Sequence, residues 1–396
     1  MPLTATQTTD MARRLAALLG VLVVLSWRTA GPASAHSASN TPASNYVSRV
    51  LTVTPAAAPF RAKVIEAGNR LEIRWRSGPE LTIADYDGFP YLRVGPDGVF
   101  ENRQSAATYI NADRQSKTRI PDIKPDGPPE WRKLSSESQV RFHYHPIHYM
   151  GSLPPPQVQR ARGEVHKVQD WTLDVVEGAK TFTIAGDLRW VPGPSPVVPL
   201  VGALLVGACL ATTVILFARR RDLGRALPTL AIGLVTLVIV DSVHLFGIAF
   251  SVHGGSGFTR AFTIGWISMG AWVLALASVL AFLRKRFDAL YVSVFAAGII
   301  TLVGGLSDIA VLSSSAVPFA FPIWLARASI ALTLGLGIGV VVAGVFLTGA
   351  IAPTATDAIG DAGPTESSGT SSFPWRPDRG FRRPGQEESP LPPEHG

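Results

Sequence analysis

The chain of 396 residues holds a single cysteine, Cys209. It lies inside a long apolar run, so the polar parts of the chain hold no disulfide and no thiolate metal ligand. Zinc centres built on cysteine and blue-copper centres are thereby excluded. An oxidising compartment is not, because a domain of about 150 residues buries enough surface to fold without bridges. Charge is scarce too. Only 16% of residues are charged, against roughly 25% in soluble proteins. The deficit falls on residues 197–350. Enzyme signatures are missing: there is no G-x-S-x-G, no H-E-x-x-H and no phosphate-binding loop. The formal net charge of +7 comes largely from Arg and Lys beside apolar runs, where they set orientation. It points to no nucleic-acid partner. The expectation is a non-enzyme without a nucleotide cofactor.

What is present starts with a leader. Met11, Arg13 and Arg14 precede LAALLGVLVVL (Leu15–Leu25), and an A-x-A site follows at Ala33, Ser34 and Ala35. This is the plan of a signal peptide over residues 1–35, translated from Met1 or from Met11. The apolar stretch is about half the ~20 residues that span a bilayer; an uncleaved anchor is the alternative. Cleavage after Ala35 leaves His36 first. Its α-amine and imidazole together can chelate Cu(II). The plainer reading makes His36 the start of a polar tail, HSASNTPASN.

Five apolar runs follow, near 197–217, 226–250, 261–283, 289–312 and 320–349. Each has about the ~20 residues a spanning helix needs. The first connector holds Arg219, Arg220, Arg221 and Arg225, and the third holds Arg284, Lys285 and Arg286. The second holds only Arg260 and the fourth holds no basic residue. Basic connectors face the cytoplasm, which agrees with an exported N-terminal part. The expected organisation is an extracytoplasmic domain over 36–191, a five-helix transmembrane bundle over 192–350, and a disordered cytoplasmic tail over 351–396. In the tail, Phe373, Trp375 and Phe381 form either a docking motif or nothing in particular. The expected place is the plasma membrane, with the lipid bilayer as a partner.

Ionisable residues inside membrane spans are costly and are functional candidates by default. Asp241 and His244 share a helix face in the second run; Asp308 lies in the fourth and Arg327 in the fifth. With Met269 in the third, all fall at similar depth and are candidates for one polar pocket. Three readings compete: a structural ion pair of Arg327 with Asp241 or Asp308, a metal or proton pathway, and haem. Haem is not expected, because a bis-histidine site needs a second embedded histidine.

Residues 47–196 alternate in short segments broken by Gly, Pro, Asn and Asp. Leu71, Ile73 and Trp75 alternate with Glu72, Arg74 and Arg76, the period of a half-buried strand. EAGNR and GPDG (Gly95–Gly98) read as turns, and Trp171–Trp190 reads as a hairpin turning near Glu177–Lys180. An antiparallel β-sandwich is expected. Between Tyr86 and Arg114, the oxygens of Asp87, Asp97, Glu101, Asn102 and Asn111 suit either a hard-cation site or structural turns. Four prolines in RWVPGPSPVVP suggest a stiff stalk into the membrane.

The segment RFHYHPIHYMG (Arg141–Gly151) concentrates three of eight histidines and one of four methionines. Read as a strand, Val140, Phe142 and Tyr144 take the core face and His143 and His145 the solvent face. Pro146 ends the strand, letting His148 and Met150 swing back. Imidazole with thioether suits Cu(I); imidazoles alone suit Cu(II), Zn(II) or Ni(II). His166 lies near enough in sequence to add a ligand. The alternative is an aromatic-histidine loop used for packing or partner binding.

SNYVSRV, YDGFPYLRVGPDGVFEN, WRKLSSE, the histidine cluster, DLRWVPGPSP and the five apolar runs together resemble an actinobacterial membrane-protein family with an exported β-domain and five helices. No activity is attached to it, so the resemblance implies topology and no catalytic residues. His36, the histidine cluster and the architecture are loosely similar to CopC-type copper carriers coupled to CopD-type importers, although the number of spans differs. That similarity implies copper and copper-handling partner proteins. The leading expectation is a membrane-anchored metal-binding protein. It would hold copper at His143, His145, His148, Met150 and His36, and pass it to the pocket of Asp241, His244, Met269, Asp308 and Arg327. The alternative is an envelope protein whose sandwich binds a protein partner and whose helices are an anchor.

Overall fold

The computed structural model describes residues 42–112 and 118–351. The leader, His36 and the tail beyond residue 351 lie outside them.

Ten antiparallel strands build the N-terminal domain. They are β1 (Tyr46–Thr54), β2 (Phe60–Ile65), β3 (Arg70–Trp75), β4 (Leu81–Ala84), β5 (Pro90–Gly95), β6 (Gly98–Asn102), β7 (Trp131–Ser135), β8 (Gln139–Phe142), β9 (His166–Glu177) and β10 (Lys180–Trp190). Seven pair in the order β1-β10-β9-β4-β5-β6-β7, and three in the order β2-β3-β8. One apolar core draws on both sheets: Leu71, Ile73 and Phe142 from the smaller, Leu81, Ile83, Leu92, Val175 and Ile184 from the larger. Each such side chain contributes about 1.5–3 kcal/mol when fully buried. The expected turns form. Glu177 pairs with Lys180 across a two-residue loop. Gly178 takes the first loop position at φ +59, as a II′ turn requires.

The alternation in β3 is imperfect. Glu72 is buried along with Leu71 and Ile73. Lys63 (3.2 Å) and Arg141 (2.7 Å) from the flanking strands close over its carboxylate. Burial alone would raise its pKa, but the bonds from Arg141 and Lys63 hold it below the usual carboxylate range.

Two short helices, α1 (Ala106–Ile110) and α2 (Pro156–Arg160), decorate this domain. Five further helices are long and apolar enough to cross a membrane: α3 (Val197–Arg219), α4 (Leu223–Ala249), α5 (Gly257–Leu283), α6 (Ala289–Ile299, continued to Leu306) and α7 (Ile323–Ile351). They mark the chain as a multi-pass membrane protein. Helix α7 packs against α3, α4 and α6 and is buried along most of its length.

The helix ends fix which end of the bundle meets the sheets. After α4, the backbone N–H of His253 donates to Glu66 Oε1 at 2.9 Å. Before α7, Ser44 and Ala316 exchange two backbone hydrogen bonds at 2.9 and 2.8 Å. Ser315 N–H donates to Asn45 Oδ1, and its hydroxyl to the Val191 carbonyl. The connectors bearing Arg219–Arg221 and Arg284–Arg286 therefore lie at the opposite end.

Candidate functional site

Strand β8 ends at Phe142, one residue before the first histidine of the cluster. Val140, Phe142 and Tyr144 face the core as expected, and the Tyr144 hydroxyl donates to the Thr172 carbonyl at 2.7 Å. His143 departs from expectation. It is buried rather than turned to solvent, because the turn before β3 covers it: its Nδ1 lies 3.0 Å from the Asn69 carbonyl oxygen. His145 is half-buried, with Nε2 3.0 Å from the Ile110 carbonyl. Pro146 opens a 3-10 turn over His145–Ile147, which brings His148 back as expected. The His148 ring stacks on His143 with centroids 4.3 Å apart, and its Nε2 lies 3.2 Å from His143 Nδ1. His145 stands edge-on to His143 at 4.7 Å.

The other candidates do not join this group. Met150 is 54% exposed, and His166 Nε2 bonds the Ala161 carbonyl. Among the described residues, no group of three or more His, Cys, Asp or Glu side chains is placed to hold one ion. Two imidazole nitrogens on one tetrahedral ion at 2.0–2.1 Å stand about 3.3 Å apart. The His143–His148 pair has that nitrogen spacing, but its rings lie nearly parallel, so one ring must turn before both lone pairs meet on one ion. With a carbonyl acceptor beside it, His143 Nδ1 carries the proton, and an ion shared with His148 requires that proton to move to Nε2 of the same ring.

Three of the candidate oxygens between Tyr86 and Arg114 are engaged by the protein itself. Asn102 Oδ1 accepts from the N–H groups of Gln104 and Glu130, Asn111 Oδ1 accepts from the Tyr86 hydroxyl, and Glu101 pairs with Arg132. Burial pushes the Tyr86 phenol up to about 12.

The second candidate lies inside the bundle. Asp241 and His244 are both buried on α4, about 12 Å and about 8 Å from its sheet-domain end at Ala249 at ~1.5 Å per residue. Trp272 Nε1–H on α5 donates to Asp241 Oδ2 at 2.7 Å, and Ser268 lies one turn earlier on the same helix, its hydroxyl beside the same carboxylate. His244 Nε2 lies 3.0 Å from Asp308 Oδ2. Asp308 follows a break in the fourth span: α6 widens to a π-helix over Ile300–Leu306, and a 3-10 turn follows over Ile309–Ser313. A Cβ on Gly304 would collide with the Asp241 carboxylate, so glycine there lets the widened helix close on it.

Of the five expected pocket residues, three converge. Met269 is only half-buried; the buried neighbour on α5 is Ser268. Arg327 forms no ion pair among the described residues; its guanidinium donates to the Ser314 carbonyl at 2.8 Å. Sequence reasoning missed Trp272. Its spacing of four from Ser268 was the available signal. Comparison with protein-family models, curated proteins and solved structures gives no match. The functional reading therefore rests on these two sites.

Proposed function

We propose that the protein is a membrane-anchored metal-binding protein, with its sheet domain, read as a β-sandwich, on the extracytoplasmic side. Copper is the ion its imidazoles suit best in an exported domain. The observation that carries this reading is the 3.2 Å separation of His143 Nδ1 and His148 Nε2 in stacked rings. The centre is smaller than the four-ligand set suggested by the segment. It comprises two imidazoles, with the Asn69 carbonyl 3.0 Å from the first. Both rings are buried, so the ion enters by a local opening of the Asn69 turn.

The test is titration of the full-length protein in detergent with Cu(I) and with Cu(II), beside a His143→Ala/His148→Ala double variant. The expected result is one ion per wild-type chain and at least about a hundredfold weaker binding by the variant. Equal affinity in the two proteins overturns it. A second reading has its own support: the rings of His143 and His145 meet the carbonyls of Asn69 and Ile110, an arrangement that fastens two turns together. Under that reading the double variant melts earlier, and neither protein binds the ion.

A further inference from the structure

We propose that Asp241, His244 and Asp308 form a proton-binding site inside the helix bundle, reached from the sheet-domain end at Asp308 and covered there by the loop that carries Phe319. It is independent of the histidine centre in the sheet domain.

The charge balance makes the first argument. Two carboxylates sit in an apolar bundle, and His244 is the sole ion-pair partner of either among the described residues. Arg327 is occupied by the Ser314 carbonyl. With the imidazole neutral, the cluster would carry two negative charges in a poorly solvated place, which is expensive. Protons remove that cost without a further ligand.

The second argument is a vacant base. When Nε2–H of His244 donates to Asp308, Nδ1 keeps its lone pair. That nitrogen is buried and has no hydrogen-bond partner among the described residues. A proton taken from water at the sheet-domain end comes to rest on a carboxylate oxygen, with Nδ1 as a relay that takes it up and gives it on, and no other bond changes. The donors that converge here are oxygen and imidazole nitrogen, so the site is poorly matched to a soft ion.

The third argument is the backbone. The π-helical stretch Ile300–Leu306 presses on Asp241 through Gly304 and leads directly to Asp308. Such widened turns recur where function interrupts a helix. The way in is graded: the Asp308 side chain is 20% exposed and that of His244 4%. Phe319 stacks over His244 with centroids 6.0 Å apart, and Ala320 N–H donates to the Gly247 carbonyl at 2.9 Å. The same loop is tied to Ser44 and Asn45 of the sheet domain. The groups that face the site are thus Trp272 and Ser268 from α5, Gly304 and Asp308 from the fourth span, and Phe319 from the loop.

The test is difference infrared spectroscopy of the full-length protein in nanodiscs from about pH 5 to about pH 8, with and without carbon-13-labelled aspartate. The expected result is a carboxyl C=O band that grows as pH falls, shifts with labelled aspartate, and is lost in Asp241→Asn or Asp308→Asn. A titration with no aspartate component, or one unchanged in both variants, overturns the site. Phe319→Ala keeps all three groups. It is expected to exchange the carboxyl proton in D2O at least about tenfold faster than wild type, as a loosened cover would. An unchanged rate overturns the covering role.

Discussion

Ala67 sits at φ +54 and ψ +37, between Glu66 at φ +55 and Gly68 at φ +95. A left-handed conformation costs a residue with a Cβ about 1–2 kcal/mol. Ala67→Gly is therefore expected to stabilise the protein by about 1 kcal/mol. Glu66→Gly relieves the same strain but loses the bonds to Asn69, Arg70 and His253. It should destabilise by about 2 kcal/mol. Denaturant melts of both variants decide; equal shifts of the same sign would show that the Glu66 carboxylate holds nothing. The acidic partner of Arg49 and Arg189 gives a pH-dependent case. Burial alone would raise the pKa of Asp187, but hydrogen bonds from Arg49 and Arg189 keep it below the usual carboxylate range. A depressed folded pKa adds stability above the unfolded value, about 3.9, and that stability is lost as pH falls through the folded value. Asp187→Asn should cost about 1–2 kcal/mol at neutral pH, moderated because both arginines keep contact with water. The melting temperatures of the two proteins should converge in acid; a constant gap at every pH would contradict the assignment. At this scale little was legible in advance. EAGNR was readable as a turn, but nothing in Glu-Ala announces positive φ, and the burial of His143 depends on a turn over seventy residues away in sequence.

At the scale of elements, the five spans were legible because twenty apolar residues leave few alternatives. Their ends differ from expectation by a few residues. How they pack was not legible from the apolar runs. Ala203, Gly207 and Ala211 on α3 face Gly335, Gly339 and Ala343 on α7: a Cβ on Gly207 would strike the Gly335 carbonyl, and one on Gly335 the Ala203 carbonyl. Small residues every fourth position let two helix backbones touch, and in lipid that close packing drives association. Gly335→Val should force the pair apart and cost about 1–3 kcal/mol, read as a lower melting temperature in detergent. Gly349→Ala on the same helix meets nothing within 4 Å and should change it little. Equal shifts in the two variants would remove the seam from the account. The departure of α6 from α-helical winding was equally hidden. Gly304 and Gly305 permit it, but the contact that requires it is with Asp241, sixty-three residues earlier. In the sheet domain the hairpins were legible from Gly and from alternation, whereas the division into seven and three strands was not, since pairing of distant strands leaves no periodic trace.

For the whole molecule, the argument from charge and the argument from contacts can be joined. The sheet domain touches the connectors that follow α4 and precede α7; neither holds an Arg or Lys, and Arg260 stands in the first turn of α5 beyond the first of them. The clusters Arg219–Arg221 and Arg284–Arg286 lie at the far end of the bundle. Basic connectors stay in the cytoplasm during insertion, so the sheet domain is expected outside. Cys209 is the only cysteine, which makes the expectation simple to test. In a Cys209→Ser background, Ala179→Cys places a thiol at the exposed tip of the β9–β10 hairpin, and Phe287→Cys places one in the basic connector between α5 and α6. A membrane-impermeant maleimide applied to intact cells should label the first at once and the second only after lysis. The reverse pattern would put the histidine segment and Asp308 on the cytoplasmic side. There a reducing pool competes for copper, and the proposed capture of the ion in an exported domain would have no basis.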